Sequence, residues 1–258
     1  MNHYYRSEFE YPAGKNEEDR IRKRAKTIIA CLKKLNSNGQ KLLDVGSGYG
    51  YFLDEALKQK LNITGIEPSK NLHSPSIDPQ IKECIIHCSF EDYFKKKSYQ
   101  KFDFISLIHV IEHVSYPKQF IQMCSKLLNK NGILYIETPN FNSWLAKKEK
   151  MNYTFLTPPD HIWLFSSKSL RLIIEKFKQL YIESISTYSY PEHLMGMLKN
   201  ELKPESEKLK VTNENLKLNI NLKRIKYVFF DKLFAPLFTP LLNIGIYGSI
   251  LELYIKKN

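Results

Sequence analysis

The chain predicts an α/β fold with a doubly wound sheet, and three observations point there. Short apolar runs alternate with amphipathic stretches along most of the 258 residues, the mark of strand–helix–strand units. One such run, Lys41-Leu42-Leu43-Asp44-Val45, passes into Gly46-Ser47-Gly48-Tyr49-Gly50, with three glycines at alternate positions. A second run, Asn62–Ile66, leads into Glu67, 23 residues after Asp44.

The elements follow in order. Residues 19–35 read as an amphipathic helix with Ile21, Ala25, Ile28, Ile29 and Leu32 on one face. A strand at 41–45 then meets the glycine-rich turn, and a helix starts near 50 and runs to about 60. Glycines suit such a turn because the backbone must bend sharply and let a ligand approach with no Cβ in the way. Amides at the helix start favour negative charge, and in an open α/β sheet this turn is where a nucleotide-like ligand sits. The spacing is G-x-G-x-G, not the G-x-G-x-x-G of dinucleotide binders. That points away from NAD and toward S-adenosylmethionine, which has no pyrophosphate to cradle. Asp44, Gly46, Ser47, Gly48 and Gly50 are therefore candidate cofactor-binding residues.

The next strand, 62–66, ends on Glu67-Pro68. An acid roughly 20 residues beyond a glycine turn is placed to hold a ribose, since a carboxylate accepts both hydroxyls. An isolated acid there reads as a solvated strand end; beside the glycine turn it reads as a ribose ligand. Further strands are expected near 84–88, 103–108, 133–137 and 180–187. Helices are expected near 117–129 and 168–178, the last with Ser166-Ser167 as its N-cap. Ile250–Ile255 alternates like a strand.

Several segments resemble class I S-adenosylmethionine-dependent methyltransferases, in the subgroup of ubiquinone-biosynthesis O-methyltransferases and cell-surface sugar methyltransferases. Lys101–Ile108 matches the fourth strand of that family, and Val110-Ile111-Glu112-His113-Val114 matches its L-E-H-V signature. Leu127–Asn140 matches L-L-K-P-G-G followed by a fifth strand ending in T-P-N, and Asp160–Ser166 matches a later H-x-x-x-F-S element. The match runs from about residue 40 to 185. Two departures stand out. Asn131 replaces a frequent second glycine, which Asn tolerates because it also reaches the left-handed conformation. Ser89-Phe90 replaces Asp-Ala, and a serine is a weaker partner for the adenine amine.

The resemblance implies a Rossmann-like, seven-stranded, mostly parallel sheet whose last strand inserts antiparallel beside the sixth, with a helical insertion before it. It divides the chain into an N-terminal cap and first helix (1–40), a cofactor-binding core (41–190), an insertion (191–247) and the last core strand (248–258). Tyr4, Tyr5 and Tyr11 fall where a cap would lie. The implied site has Asp44 and the amides of Gly46–Gly50 at the methionine end, Glu67 and Pro68 at the ribose, and Ser89 and Phe90 at the adenine. His109 is also assigned to the cofactor. His161, His109 and His113 are candidate bases for an acceptor hydroxyl, with His161 first.

The implied function is O-methylation of a small molecule, such as a sugar or nucleotide sugar of cell-surface polysaccharide biosynthesis. A lipid-like quinol acceptor, or a scaffold that keeps the fold without turnover, are the alternatives.

Composition agrees with a single enzyme domain: 43% hydrophobic and 26% charged residues are ordinary values. The four cysteines, Cys31, Cys84, Cys88 and Cys124, form no C-x-x-C pair, so neither a zinc knuckle nor a disulfide framework is expected. With no signal-peptide pattern, a cytoplasmic location is expected. The net charge of +12 has two readings: attraction to an anionic acceptor, or lysines spread over solvated faces. Short runs such as Lys95-Lys96-Lys97 lack interleaved aromatics, so no nucleic-acid partner is expected.

Within the insertion, Lys199–Lys226 carries eight Lys or Arg against four Glu, a local charge of +4. Residues 227–247 are apolar and aromatic but broken by Asp231, Lys232, Pro236 and Pro240, too interrupted for a membrane span. A lid, a homodimer interface, peripheral membrane contact through 227–247, or an extra helical layer are the open readings.

His109-Val110-Ile111-Glu112-His113 spells H-x-x-E-H, a zinc-protease pattern that needs both histidines on one helix. The preceding strand runs straight into His109, so no metal is expected. An N-P-P-Y-like tetrapeptide of DNA-adenine methyltransferases would follow the fourth strand, whereas Thr157-Pro158-Pro159-Asp160 lies past the fifth.

Overall fold

Alternate residues of a strand face opposite sides of a sheet, and in the computed structural model each side carries its own helices. The structure describes residues 15–70, 77–97, 99–190 and 245–258. Seven strands form one sheet: β1 (Lys41–Val45), β2 (Asn62–Ile66), β3 (Ile85–Ile86), β4 (Phe102–Ile108), β5 (Leu128–Pro139), β6 (Leu180–Tyr188) and β7 (Ile250–Lys257). Their order is β3-β2-β1-β4-β5-β7-β6. The first five are mutually parallel. β7 runs antiparallel to both β5 and β6, as expected for the last strand.

Leu42, Phe104, Ile133 and Tyr135 point to the face covered by α1 (Lys15–Leu35), α2 (Tyr51–Lys58) and α3 (Pro79–Glu83). Leu43, Ile105, Leu134 and Ile136 point to the other face, covered by α4 (Phe90–Lys97), α5 (Pro117–Leu127) and α7 (Ser167–Ile174). Ala25, Ile28, Ile29 and Leu32 of α1 are all buried, so the expected helical stripe is the one that packs. Between β5 and α7, a short helix α6 (Trp144–Glu149) and Tyr153 build a small separate core with Leu145 and Ala146.

Two charged clusters fasten α1 to the rest. Arg22 bonds Glu18 at 2.7 Å and Glu55 at 2.9 Å and also pairs with Asp54; both acids on α2 are buried. Arg24 reaches Tyr135 and Glu137 of β5 and Glu252 of β7, and lies 4.1 Å above the Tyr188 ring.

Differences from the expected elements are local. β3 has two residues rather than five, and β5 begins at Leu128 because Leu128 already pairs with Phe102. The helix expected at 117–129 therefore stops at Leu127, and that expected at 168–178 stops at Ile174. α3, α4 and α6 were not expected. Ser166 is the N-cap of α7, in a reciprocal pair with Ser169. Asn131 has φ +62, the left-handed conformation expected of it. The N-terminal tyrosines and residues 191–244 of the insertion lie outside the described residues. Among the described residues, no helix is long and apolar enough to cross a membrane.

Candidate active site

The strand order reverses between β1 and β4, so a crevice opens beyond their carboxyl ends, where ligands of such sheets bind. Asp44 and the glycine turn lie at the end of β1; Ser106 and His109 lie at the end of β4. Gly46 and Gly48 have φ of +75 and +53, a region that side chains rarely adopt. A Cβ on Gly46 would stand 2.6 Å from Val110, whereas one on Gly48 would project into open space. The turn is pinned to β2 by the Gly46 and Ser47 amides, which donate to the Ile66 carbonyl at 2.8 and 3.1 Å. Gly50 is the N-cap of α2.

Glu67 faces this turn. One carboxylate oxygen accepts from the Gly48 amide at 2.9 Å and the other from the Ser69 amide at 2.9 Å. Each oxygen has two lone pairs, so the acid is aimed by the backbone and retains capacity for a diol. Pro68, half-buried, turns the chain between these contacts. Asp44 is buried beneath the turn and accepts from the Ser106 hydroxyl at 2.6 Å. Burial pushes its carboxyl up to about 7; the Ser106 bond pulls the other way and the charge of Glu67 adds to the rise.

At the far side of the crevice, two segments 47 residues apart meet. His113, in a 3₁₀ turn (Ile111–His113) after β4, and His161 have ring centroids 4.7 Å apart, edge to face. His113 donates from Nδ1 to the Asp160 carbonyl at 2.8 Å, and His161 donates from Nδ1 to the Phe155 carbonyl at 2.7 Å. A carbonyl only accepts, so both imidazoles carry the Nδ1 proton. His161 is held below the ordinary imidazole range, chiefly by burial. Its ring stacks against the half-buried Phe155 at 6.3 Å; Tyr153 is buried behind Phe155, 5.6 Å away, and the exposed Trp163 stacks on Phe165.

His109 differs. It takes a left-handed backbone with φ +53, and its amide donates to the Glu137 carbonyl at 2.9 Å. Nδ1 bonds Glu112 Oε1 at 3.2 Å, and Nε2 lies 3.6 Å from Glu137 Oε1. Burial pulls this imidazole down, but the two carboxylates outweigh it and hold it above the ordinary range. Glu112 is correspondingly held low: burial raises it, and the bond and charge of His109 more than compensate.

A family of methyltransferase domains matches residues 17–178, from α1 almost to β6. The chain belongs to this methyltransferase family. Its fold is that of the S-adenosylmethionine-dependent methyltransferases, and S-adenosylmethionine is its cofactor. The mitochondrial ubiquinone biosynthesis O-methyltransferase of Dictyostelium discoideum is 30% identical over 143 residues, covering 48% of this chain and 44% of that protein. The chain spans less than half the length of the curated relatives it matches. Among solved structures, a SAM-dependent methyltransferase from Archaeoglobus fulgidus has a TM-score of 0.57 at 18% identity, over 93% of this chain and 94% of its own. The plantazolicin methyltransferase BpumL, crystallised with a monoazolic desmethylPZN analog and SAH, has a TM-score of 0.56 at 15% identity, over 95% and 86%. Such identities show the fold alone.

The residues of the methyltransferase crevice fit a nucleoside ligand on two observations. The space at Gly48 is one a Cβ would fill, and the oriented Glu67 carboxylate stands beside it. Other expected residues fall less simply. The Ser47 hydroxyl packs over Gly65 and has no partner among the described residues. Ser89 caps α4, its hydroxyl accepting from the Asp92 amide at 3.1 Å. The Phe90 side chain is 3% exposed and packs on Phe120 at 4.6 Å, within the core. His109, also expected as a base, has Glu112 hydrogen-bonded at Nδ1 and Glu137 3.6 Å from Nε2. The two histidines of H-x-x-E-H straddle the turn after β4 and share no helix, as expected.

Glu112, His113 and His161 each place a donor atom within 4.8 Å of the others. The two Glu112 oxygens are engaged by His109 Nδ1 at 3.2 Å and by the Thr138 hydroxyl at 2.9 Å, while the Nδ1 atoms of His113 and His161 are on backbone carbonyls. Sequence reasoning missed Ser106, Thr138, Glu137 and Arg24. Glu137 alone had a signal, an acid set within the apolar run of β5.

Proposed function

We propose that this chain is an S-adenosylmethionine-dependent O-methyltransferase whose small-molecule acceptor presents a phenolic hydroxyl, with His161 as the general base. One observation carries the reading: His161 has its Nδ1 proton committed to the Phe155 carbonyl, which leaves the Nε2 lone pair for an acceptor proton, inside an aromatic surface. A flat ring suits Phe155, which lies nearly parallel to the His161 ring. The relatives named as ubiquinone biosynthesis O-methyltransferases support a phenolic acceptor.

S-adenosylmethionine supplies a methyl group activated on a sulfonium. Glu67 and the Gly48 loop hold its ribose, and Asp44 lies beneath the same turn. His161 takes the hydroxyl proton onto Nε2 as the acceptor oxygen becomes nucleophilic, and Phe155 keeps the ring oriented during that transfer. Catalysis is then mainly alignment, with the base adding about 10²- to 10⁴-fold.

The sugar or nucleotide-sugar acceptor is a second reading, favoured by the basic group Lys147, Lys148 and Lys150 at the end of α6. A methyl-transfer assay with labelled S-adenosylmethionine, offering a polyprenyl catechol and a UDP-hexose in parallel, separates the two. Label on the catechol is expected, and His161→Ala should cut turnover at least tenfold while sparing S-adenosylhomocysteine affinity. Label on the hexose alone favours the second reading. Binding of cofactor with no transfer to either leaves the scaffold reading in front.

A further inference from the structure

Both carboxylates flanking His109 are buried, Glu112 at 1% and Glu137 at 2% exposure, and two such charges need a cation between them. The imidazole stands between them, on a residue whose φ of +53 is a backbone conformation that side chains rarely adopt. Glu112 also gives its backbone carbonyl to the Ile162 amide at 2.9 Å and the Trp163 amide at 3.1 Å, the residues that immediately follow His161. A chain of fixed positions thus runs from β5 through His109 and Glu112 to the segment carrying the base.

We propose that His109 is a positioning residue: as a cation clamped by Glu112 and Glu137, it fixes Glu112, and Glu112 in turn holds the 161–163 segment in register. This rests on the reading of His161 as the base. The groups packed around the clamp support a charged imidazole. Glu137 accepts from Tyr188 at 2.7 Å and Tyr135 at 2.5 Å, and Arg24 lies 3.3 Å away on its far side. Beyond these are Glu252 of β7, which pairs with Arg24, and Tyr190, whose hydroxyl meets that of Tyr188 at 3.0 Å. Glu112 has Thr138 on its second oxygen, with His113 and His161 in front of it. Arg24 thus stands on the outer side of Glu137, between it and Glu252, and His109 on the inner side, between Glu137 and Glu112. A desolvated charge pair of this kind is costly to break from one side, since the remaining acids stay buried.

The test needs no acceptor. Tautomer-sensitive ¹H–¹⁵N NMR of the histidine rings in the full chain with S-adenosylhomocysteine at pH 7.5 should show both His109 nitrogens protonated and His161 as the neutral Nδ1–H form. A neutral His109 in the wild type overturns the proposal. His109→Asn keeps a residue that tolerates the left-handed backbone but removes the cation; His109→Lys restores a cation. In the Asn variant the single His161 tautomer should be lost while the far-UV circular dichroism spectrum stays that of the folded chain, and the Lys variant should regain it. A His161 signature unchanged in His109→Asn also overturns the proposal, and if that variant does not fold, the wild-type spectrum still decides. Should His161→Ala keep full turnover with the clamp signature intact, the base assignment has failed and the clamp has not.

Discussion

Asp44 pulls the fold and the ligand site in opposite directions. Burial raises its carboxyl from 3.8 to about 7, so between those values the folded state holds a proton that the unfolded state has released. Stability from this group is therefore full below about pH 4 and is lost as pH rises to 7. Asp44→Asn should melt higher than the wild type at pH 8, by up to about 4 kcal/mol from a rise of roughly three pH units at about 1.36 kcal/mol each, with the gap closing toward pH 4. The same ionised acid favours a cationic ligand, so cofactor affinity by calorimetry should rise as pH increases through 7 and be lost in the Asn variant. His161 gives a second pH dependence. A base works unprotonated, and its imidazole is held below the ordinary 6.5. Turnover against pH should stay flat down to 6.5 and fall only below it; a limb centred above 6.5 would count against His161. Asp44, Glu67 and the glycines were legible because the turn that joins them is local. Glu137 and Arg24 were not, since 113 residues separate them and only the folded sheet brings them together.

At the scale of elements, β2 and α2 approach so closely that Gly65 has no room for a side chain. A Cβ there would lie 2.6 Å from Leu53, 2.9 Å from the Ser47 hydroxyl and 3.0 Å from Ile85. Gly65→Ala should cost about 1–3 kcal/mol by overpacking, and because Glu67 follows two residues later, it should weaken S-adenosylhomocysteine binding as well. A denaturation midpoint equal to wild type with unchanged affinity would refute the close approach. The strands that sequence located best, β1 and β2, are apolar runs with clear ends. The short helices it missed bury little: α4 buries only Phe90 and Tyr93 of eight residues, and α3 only Ile81 of five. With so few apolar positions, a helical period has nothing to register. The pairing of His113 with His161 was equally invisible, because Glu112 and Asp160 make it through backbone carbonyls that no side-chain pattern encodes.

For the whole molecule, the cofactor site joins β1, β2 and α2, and α1 is fastened over the same face through Arg22. Ligand binding to the folded state alone should stabilise all of it together. S-adenosylhomocysteine at 100 times its Kd should add about 2.7 kcal/mol, seen as a rise of several degrees in melting temperature. Glu67→Ala should show no such rise at the same concentration, and a wild-type melting curve indifferent to the ligand would sink the cofactor assignment. The sheet order itself was foreseeable once the family was recognised, since no local pattern says that a strand at 250–257 lies inside the sheet rather than at its edge.

That placement sets an order of events during synthesis. β6 has β7 as its sheet neighbour, yet Tyr188 is made 62 residues before Ile250. Until β7 emerges from the ribosome, β5 presents an open flank and β6 has nowhere to dock, an interval in which bare strand edges invite intermolecular pairing. The first five strands give the nascent chain a parallel platform early, and the last strand acts as the keystone that closes it.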